Sequence, residues 1–141
     1  MTMTVREVGR VLAIAAVYDS REISDVDIEV WADHADSDGW SVTAVERVIR
    51  EHYATGADRP RITPAHVNDR LRRVRQRALE IFDADRPVIA DGETPGQHLA
   101  RYRAERQTFA NELVGLWASV GTDPEIEHKR RQLATRPAAA S

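Results

Sequence analysis

The heptapeptide HADSDGW, residues 34–40, is the part of the chain whose residue types most resemble a metal site. Its aspartates Asp36 and Asp38 are followed by a glycine, as at positions 3, 5 and 6 of a calcium-binding EF-hand loop. An EF-hand also needs oxygen ligands at positions 1 and 12, which here are His34 and Val45. Neither residue supplies a suitable ligand, so the spacing argues against calcium. It predicts instead an acidic turn between two helices.

No other grouping of residues predicts catalysis or cofactor binding. The five histidines lack the spacing of a zinc site; they are His34, His52, His66, His98 and His128. The seven glycines are scattered, so no phosphate-binding loop is formed, and the chain has no nucleophile motif of the GxSxG type. There are no cysteines for thiol chemistry. We therefore expect a protein that is not an enzyme, with no catalytic, cofactor-binding or metal-binding residues.

Charge is distributed unevenly along the 141 residues, whose net charge is −3. Residues 1–58 carry 5 basic and 12 acidic side chains, a net charge of −7. Residues 59–86 carry 8 basic and 4 acidic side chains, a net charge of +4. This division predicts an acidic body with a basic arm. The longest apolar run, residues 11–17, is too short to span a bilayer, so we expect a soluble, cytoplasmic protein without membrane contact.

Hydrophobic periodicity and capping residues predict five helices and no strands. Thr4 opens a capping box for the first helix, and Ser24 and Ser41 cap the second and third. The first helix is apolar all round between residues 11 and 17, which predicts that it is the most buried. With their caps included, the expected helices are 4–18, 24–35, 41–56, 63–84 and 94–120.

The expected fold is all-α, in two parts. A compact four-helix domain occupies residues 4–84, and a linker rich in Pro, Gly and Asp follows at residues 85–95. One amphipathic C-terminal helix occupies residues 96–120. The end of the chain, residues 121–141, is expected to be a flexible tail.

The fourth predicted helix carries a pattern suited to binding a charged partner. At 100° per residue, basic side chains lie on both flanks of the apolar stripe of this helix. One flank carries a row of His66, Arg70, Arg73 and Arg77, and the opposite flank carries Arg72 and Arg75. Such a helix could contact a nucleic-acid backbone or dock on an acidic protein surface. It could also be a solvated face supported by local ion pairs. The sequence leaves these three interpretations open.

The C-terminal helix carries a line of large apolar side chains, namely Tyr102, Phe109, Leu113, Leu116 and Trp117. In one interpretation the helix folds back and completes the core. In the other it is offered to a groove of a partner protein, or to a second copy in a homodimer formed through residues 96–120.

Residues 5–71 together resemble the N-terminal helical domain of the phage replicative-helicase loader/inhibitor family. The shared features are an alanine-rich helix end with tyrosine, a tryptophan in the second helix, an acidic turn, a helix of the type AVxxxxxxH/Y, and a proline-bearing entry to the next helix. In this chain they are Ala15-Ala16-Val17-Tyr18, Trp31, HADSDGW, Ala44-Val45 with His52-Tyr53, and Ile62-Thr63-Pro64-Ala65.

The resemblance implies a non-enzymatic DNA-replication adaptor, located in a bacterial host cell. Such an adaptor binds a DnaB-type replicative helicase, or another replication protein, and loads or inhibits it. Family members engage the helicase through the segment after the helical domain, a segment that is expected to be disordered when free, whereas residues 95–120 are here predicted to be helical. The alternative function is that of a small nucleic-acid-binding or regulatory protein that contacts DNA through the arginine-rich helix.

Overall fold

The computed structural model describes residues 3–56, 58–85 and 88–120, and all regular structure among them is α-helical. The helices are α1 (Val5–Asp19), α2 (Asp25–Asp38), α3 (Val42–Ala54), α4 (Pro64–Ala84) and α5 (Pro95–Val120). The predicted all-α class is therefore confirmed for the described residues. The expected tail, residues 121–141, lies outside them.

The helices begin where the capping residues predict. The Glu7 N–H donates to Thr4 Oγ1 at 3.2 Å, and the Thr4 N–H donates to a Glu7 carboxylate oxygen at 3.0 Å. This reciprocal pair satisfies two backbone donors that the first helical turn leaves without an intrahelical acceptor. Ser24 and Asp27 repeat the arrangement at the start of α2. At α3 the Ser41 hydroxyl accepts the Ala44 N–H.

The end of α2 differs from the prediction. The helix continues through Asp38, three residues beyond the expected end near Ala35, so most of the predicted acidic turn is helical. Gly39 terminates the helix with a left-handed φ of 65°, and its N–H donates back to the carbonyl of Ala35. Because glycine enters this region without a steric penalty, the helix persists until it reaches that residue.

The chain forms two compact units, Met1–Arg72 and Arg73–Ser141, so the boundary lies within α4. The first unit contains α1, α2, α3 and the first part of α4. The second contains the rest of α4 and α5. Each unit has its own buried residues, and the two are described separately below.

In the first unit, α1 packs against α2 and α3. Buried side chains come from all of its helices and from the connections between them; they include Val8, Val11, Leu12, Ala15, Trp31, Trp40, Val45, Ile49, Ile62 and Val67. Trp31, only 4% exposed, meets Trp40 edge to face with 5.8 Å between ring centroids. This geometry suits the quadrupoles of two aromatic rings. Trp31 therefore belongs to the core of this unit.

Not every apolar residue of α1 is buried. Val17 is 81% exposed, and Val5 and Ala13 are exposed as well. α1 packs against neighbours through the face that carries Val8 and Leu12. Apolar residues on its other face therefore remain at the surface, because composition alone does not create a neighbour to cover them.

In the second unit, α5 packs on the second part of α4 through a cluster of Ala78, Ala110 and Leu113. Three half-buried side chains, Leu79, Phe109 and Leu116, pack around this cluster. Leu99, in the first part of α5, is 48% exposed and lies outside this cluster.

The described part of the predicted linker is held close to α5. Glu93 accepts hydrogen bonds from Arg101 at 2.7 and 3.0 Å and contacts the His98 ring at 2.9 Å. The Arg101 hydrogen bond is the main cause that lowers the pKa of Glu93 to about 2. A further hydrogen bond from Arg101 reaches the carbonyl of Val88 at 2.9 Å. Residues 88–93 are therefore tied to α5 within this unit.

Candidate interaction surfaces

The basic residues of α4 that belong to the first unit are partly used inside it. The Arg70 guanidinium donates to Glu51 at 2.9 Å, and Arg47 donates to the same carboxylate at 2.9 Å. Arg72 is exposed, and no hydrogen bond or ion pair joins it to a described residue. The positive charge that this part of α4 presents outward is thus smaller than its arginine content suggests.

His66 acts within its own helix end. Its Nδ1 accepts the Thr63 N–H at 3.0 Å, which satisfies a backbone donor at the start of α4. The ring lies 5.0 Å from that of His52, centroid to centroid. Burial lowers the pKa of His66, and the neighbouring His52 lowers it further. His66 is therefore neutral near pH 7 and does not add a positive charge to the predicted basic row.

The basic residues of α4 in the second unit also have local partners. Arg75 donates to the side-chain carbonyl of Asn111 on α5 at 2.8 Å. Arg77 forms an ion pair with Glu80 at 3.4 Å, three residues along the same helix. Arg73 is exposed. These pairs match the solvated-face interpretation more closely than a row of guanidiniums aimed at a phosphate backbone.

The apolar residues predicted to contact a partner through α5 lie mostly inside the second unit. Leu113 and Trp117 are buried, at 0% and 1% exposure. Phe109 is half-buried and its ring lies 5.3 Å from that of Phe82 on α4. Leu116 packs against the same cluster. This arrangement corresponds to the fold-back interpretation, in which the apolar line of α5 serves packing within the chain.

Tyr102, the first residue of that line, and Arg106 share one acceptor on α4. The Tyr102 hydroxyl donates to Asp83, and Arg106 donates to both carboxylate oxygens of Asp83 at 2.9 and 3.0 Å. The hydrogen bond to Asp83 is the main cause that raises the pKa of Arg106. The charge of Arg106 is thus balanced by Asp83 through two charge-assisted hydrogen bonds between α5 and α4.

The motif HADSDGW is organised around a buried tryptophan that the sequence analysis did not single out. Trp40 is 2% exposed and its indole N–H donates to the side-chain oxygen of Asn68 on α4 at 2.7 Å. The Asn68 amide in turn donates to Asp38 at 2.9 Å. Asp38 and Asp36 both lie in α2, whereas calcium loops coordinate through a twelve-residue turn. Among the described residues, no group of three or more His, Cys, Asp or Glu side chains could hold a metal ion.

A second polar network links the end of α1 to the segment before α4. The Arg21 guanidinium donates to both oxygens of Asp19 and to the carbonyl of Ile62, the last at 2.8 Å. The Tyr53 hydroxyl donates to Asp19 and accepts the Ile62 N–H at 2.9 Å. Asp19 and Arg21 side chains are each 8% exposed. Burial by itself raises the pKa of Asp19, but the hydrogen bonds from Arg21 and Tyr53 outweigh it and lower the pKa to about 2.

This network is structural, because each member is matched by another within the unit. It could not be found from the sequence, since Asp19 and Tyr53 are 34 positions apart. Its effect is to hold the connection between α3 and α4 against the end of α1.

One face of the first unit remains open. A groove of about 470 Å³ lies between the start of α1 and α2, and its lining residues are Val5, Ile28, Ala32, Asp25, Glu29 and Asp33. The three acidic residues recur every four positions along α2, and none has a hydrogen bond or ion pair to a described residue. Two further apolar residues, Val26 and Val30, are exposed next to them on the same helix.

The acidic row is unfavourable for α2 taken alone. Like charges four residues apart on a helix destabilise it by roughly 0.2–0.5 kcal/mol per pair. Asp25 in the first turn is favoured by the helix dipole, but Glu29 and Asp33 lie beyond that turn. Stability of the helix therefore does not account for these two carboxylates. Sequence reasoning missed the groove, although the i, i+4, i+8 spacing of the acids was visible.

No protein-family model, curated protein or solved structure matches the chain. None of the helices in the described ranges is long and apolar enough to cross a membrane.

Proposed function

We propose that the chain is a non-enzymatic replication adaptor that binds a DnaB-type replicative helicase and loads or inhibits it. In this proposal residues 5–71, within a four-helix domain of residues 4–84, are the part related to the helicase loader/inhibitor family. The C-terminal helix, residues 96–120, follows it after the linker. No step requires nucleotide hydrolysis by this chain, whose sequence contains no phosphate-binding loop.

The observation that carries the proposal is the extent of the resemblance. It covers residues 5–71, and these residues coincide with the first compact unit, Met1–Arg72. A resemblance that begins and ends with a structural unit supports common ancestry of that unit more strongly than scattered matches would. The internal partners of Arg70, Arg75 and Arg77 support protein binding over nucleic-acid binding, because they reduce the charge available to phosphates.

The experiment is a binding titration of the full chain with the hexameric DnaB-type helicase of a bacterial host. Biolayer interferometry at low and at moderate salt gives the affinity, and a strand-unwinding assay gives the effect on the helicase. We expect saturable binding that persists at moderate salt, together with a changed unwinding rate. Absence of helicase binding at both salt concentrations would overturn the proposal.

A titration of the full chain with single-stranded and with duplex DNA, by the same method, tests the alternative function. A nucleic-acid binder loses affinity steeply as salt rises, by roughly one power of the salt concentration for each phosphate contact. The variant Arg72→Gln/Arg73→Gln removes two exposed charges of α4, and Arg6→Gln/Arg103→Gln removes two exposed charges elsewhere. If DNA binds tightly and only the α4 variant loses it, the nucleic-acid function replaces the adaptor function.

A further inference from the structure

We propose that the groove between α1 and α2 is a docking site for a cationic amphipathic helix of a partner protein. The observation behind this inference is a set of apolar lining residues, Val5, Ile28 and Ala32, beside a row of three carboxylates that have no hydrogen bond or ion pair to a described residue. The inference rests on the proposed function in taking the partner to be a protein. It adds the surface that is used and the chemistry of the segment that is bound.

The apolar part of the groove explains why the occupant is amphipathic. Among the apolar residues that line the groove, Val5 is 67% exposed, and Ile28 and Ala32 are half-buried. Exposed apolar side chains that lie together with a concave floor mark interaction surfaces rather than ordinary surface composition. A helix that lays an apolar stripe in such a groove makes contacts at its positions i, i+3, i+4 and i+7.

The charges explain why the occupant is basic. Asp25, Glu29 and Asp33 are four residues apart, so they rise along α2 by one turn at a time. Arginine or lysine residues four apart on a helix beside α2 would meet them one to one. No basic side chain lines the groove among the described residues, so the complementary charge has to come from the partner. Removal of two carboxylates should thus weaken binding without harm to α2, whose like-charge repulsion it relieves.

The test uses a fluorescein-labelled synthetic peptide with leucines at helical a and d positions and arginines on both flanks. A control peptide has glutamate in place of every arginine. Fluorescence anisotropy at low and moderate salt measures binding to the full chain, to Glu29→Gln/Asp33→Asn and to Asp58→Asn/Asp91→Asn. The last variant removes the same charge at two exposed residues that do not line the groove.

We expect the arginine peptide to bind the parent and the Asp58/Asp91 variant equally. The Glu29/Asp33 variant should bind at least about fivefold more weakly, while its melting temperature stays the same or rises. The glutamate peptide should not bind. Two results would overturn the inference. One is equal binding of the arginine peptide to all three proteins, and the other is no binding of that peptide to the parent or to the Asp58/Asp91 variant.

A second copy of the chain is the competing occupant, since its own α4 is rich in arginine. Light scattering of the parent and of the Glu29/Asp33 variant distinguishes the two occupants. If the parent is a dimer and the variant is a monomer, the groove holds another copy of the chain, and the inference of a foreign partner is overturned. Peptide binding without helicase binding would leave the groove inference standing and remove the helicase. Helicase binding without peptide binding would support the proposed function and overturn the groove inference.

Discussion

Asp19→Asn is the most informative single substitution in the first unit. The Asp19 carboxylate accepts hydrogen bonds from Arg21 and Tyr53, and these lower its pKa from the ordinary 3.8 to about 2. Since the side chain is only 8% exposed, solvent screens these contacts weakly. A decrease of this size corresponds to about 2 kcal/mol of folding free energy that the ionised form contributes.

The pH at which this contribution is lost follows from its sign. The folded-state pKa lies below the unfolded-state value, so the stabilisation is fully present above about pH 4. It is lost as the pH falls towards 2, where the folded protein also takes up the proton. The parent should therefore exceed Asp19→Asn in stability by at least about 2 kcal/mol at pH 7. That difference should shrink by about 2 kcal/mol between pH 5 and pH 2.

Urea unfolding followed by tryptophan fluorescence measures the difference at each pH. All proteins carry Trp117→Phe, so that Trp31 and Trp40 report on the first unit alone. The matched control is Asp36→Asn, an exposed carboxylate with no hydrogen bond or ion pair to a described residue, and its effect should stay within about 0.5 kcal/mol. A difference for Asp19→Asn that is the same at pH 5 and pH 2 would refute the reasoning.

Two further substitutions test contacts in the separate units by urea unfolding. Trp40→Phe removes the indole N–H that donates a hydrogen bond to Asn68, and it should lower the free energy of unfolding by about 1–3 kcal/mol. An unchanged free energy of unfolding would contradict that hydrogen bond. Leu113→Ala should cost about 2–5 kcal/mol because the side chain is fully buried, whereas the control Leu99→Ala should cost less than about 0.5 kcal/mol. Equal costs for the two leucines would show that α5 does not pack through Leu113.

For the residues of the expected functional surfaces, the sequence could not show which hydrogen-bond and ion-pair partners they have in the fold. Arg70 stands 19 positions from Glu51, and Arg75 stands 36 positions from Asn111. Periodicity places these arginines on one helix, but it does not reveal which acceptors the fold brings to them. The predicted contact residues of α5 met the same difficulty, because a stripe of buried residues and a stripe offered to a partner have the same spacing.

By itself, the sequence determined the all-α class and the starts of the helices. Caps such as Thr4 with Glu7 act over three residues, so their hydrogen bonds are encoded locally. Only the tertiary structure decided which apolar faces are covered, as Val17 and Trp40 illustrate, and where α4 passes from one compact unit to the other. These outcomes depend on contacts between residues far apart in the chain, and burial is a property of the neighbours that the fold supplies rather than of the side chain alone.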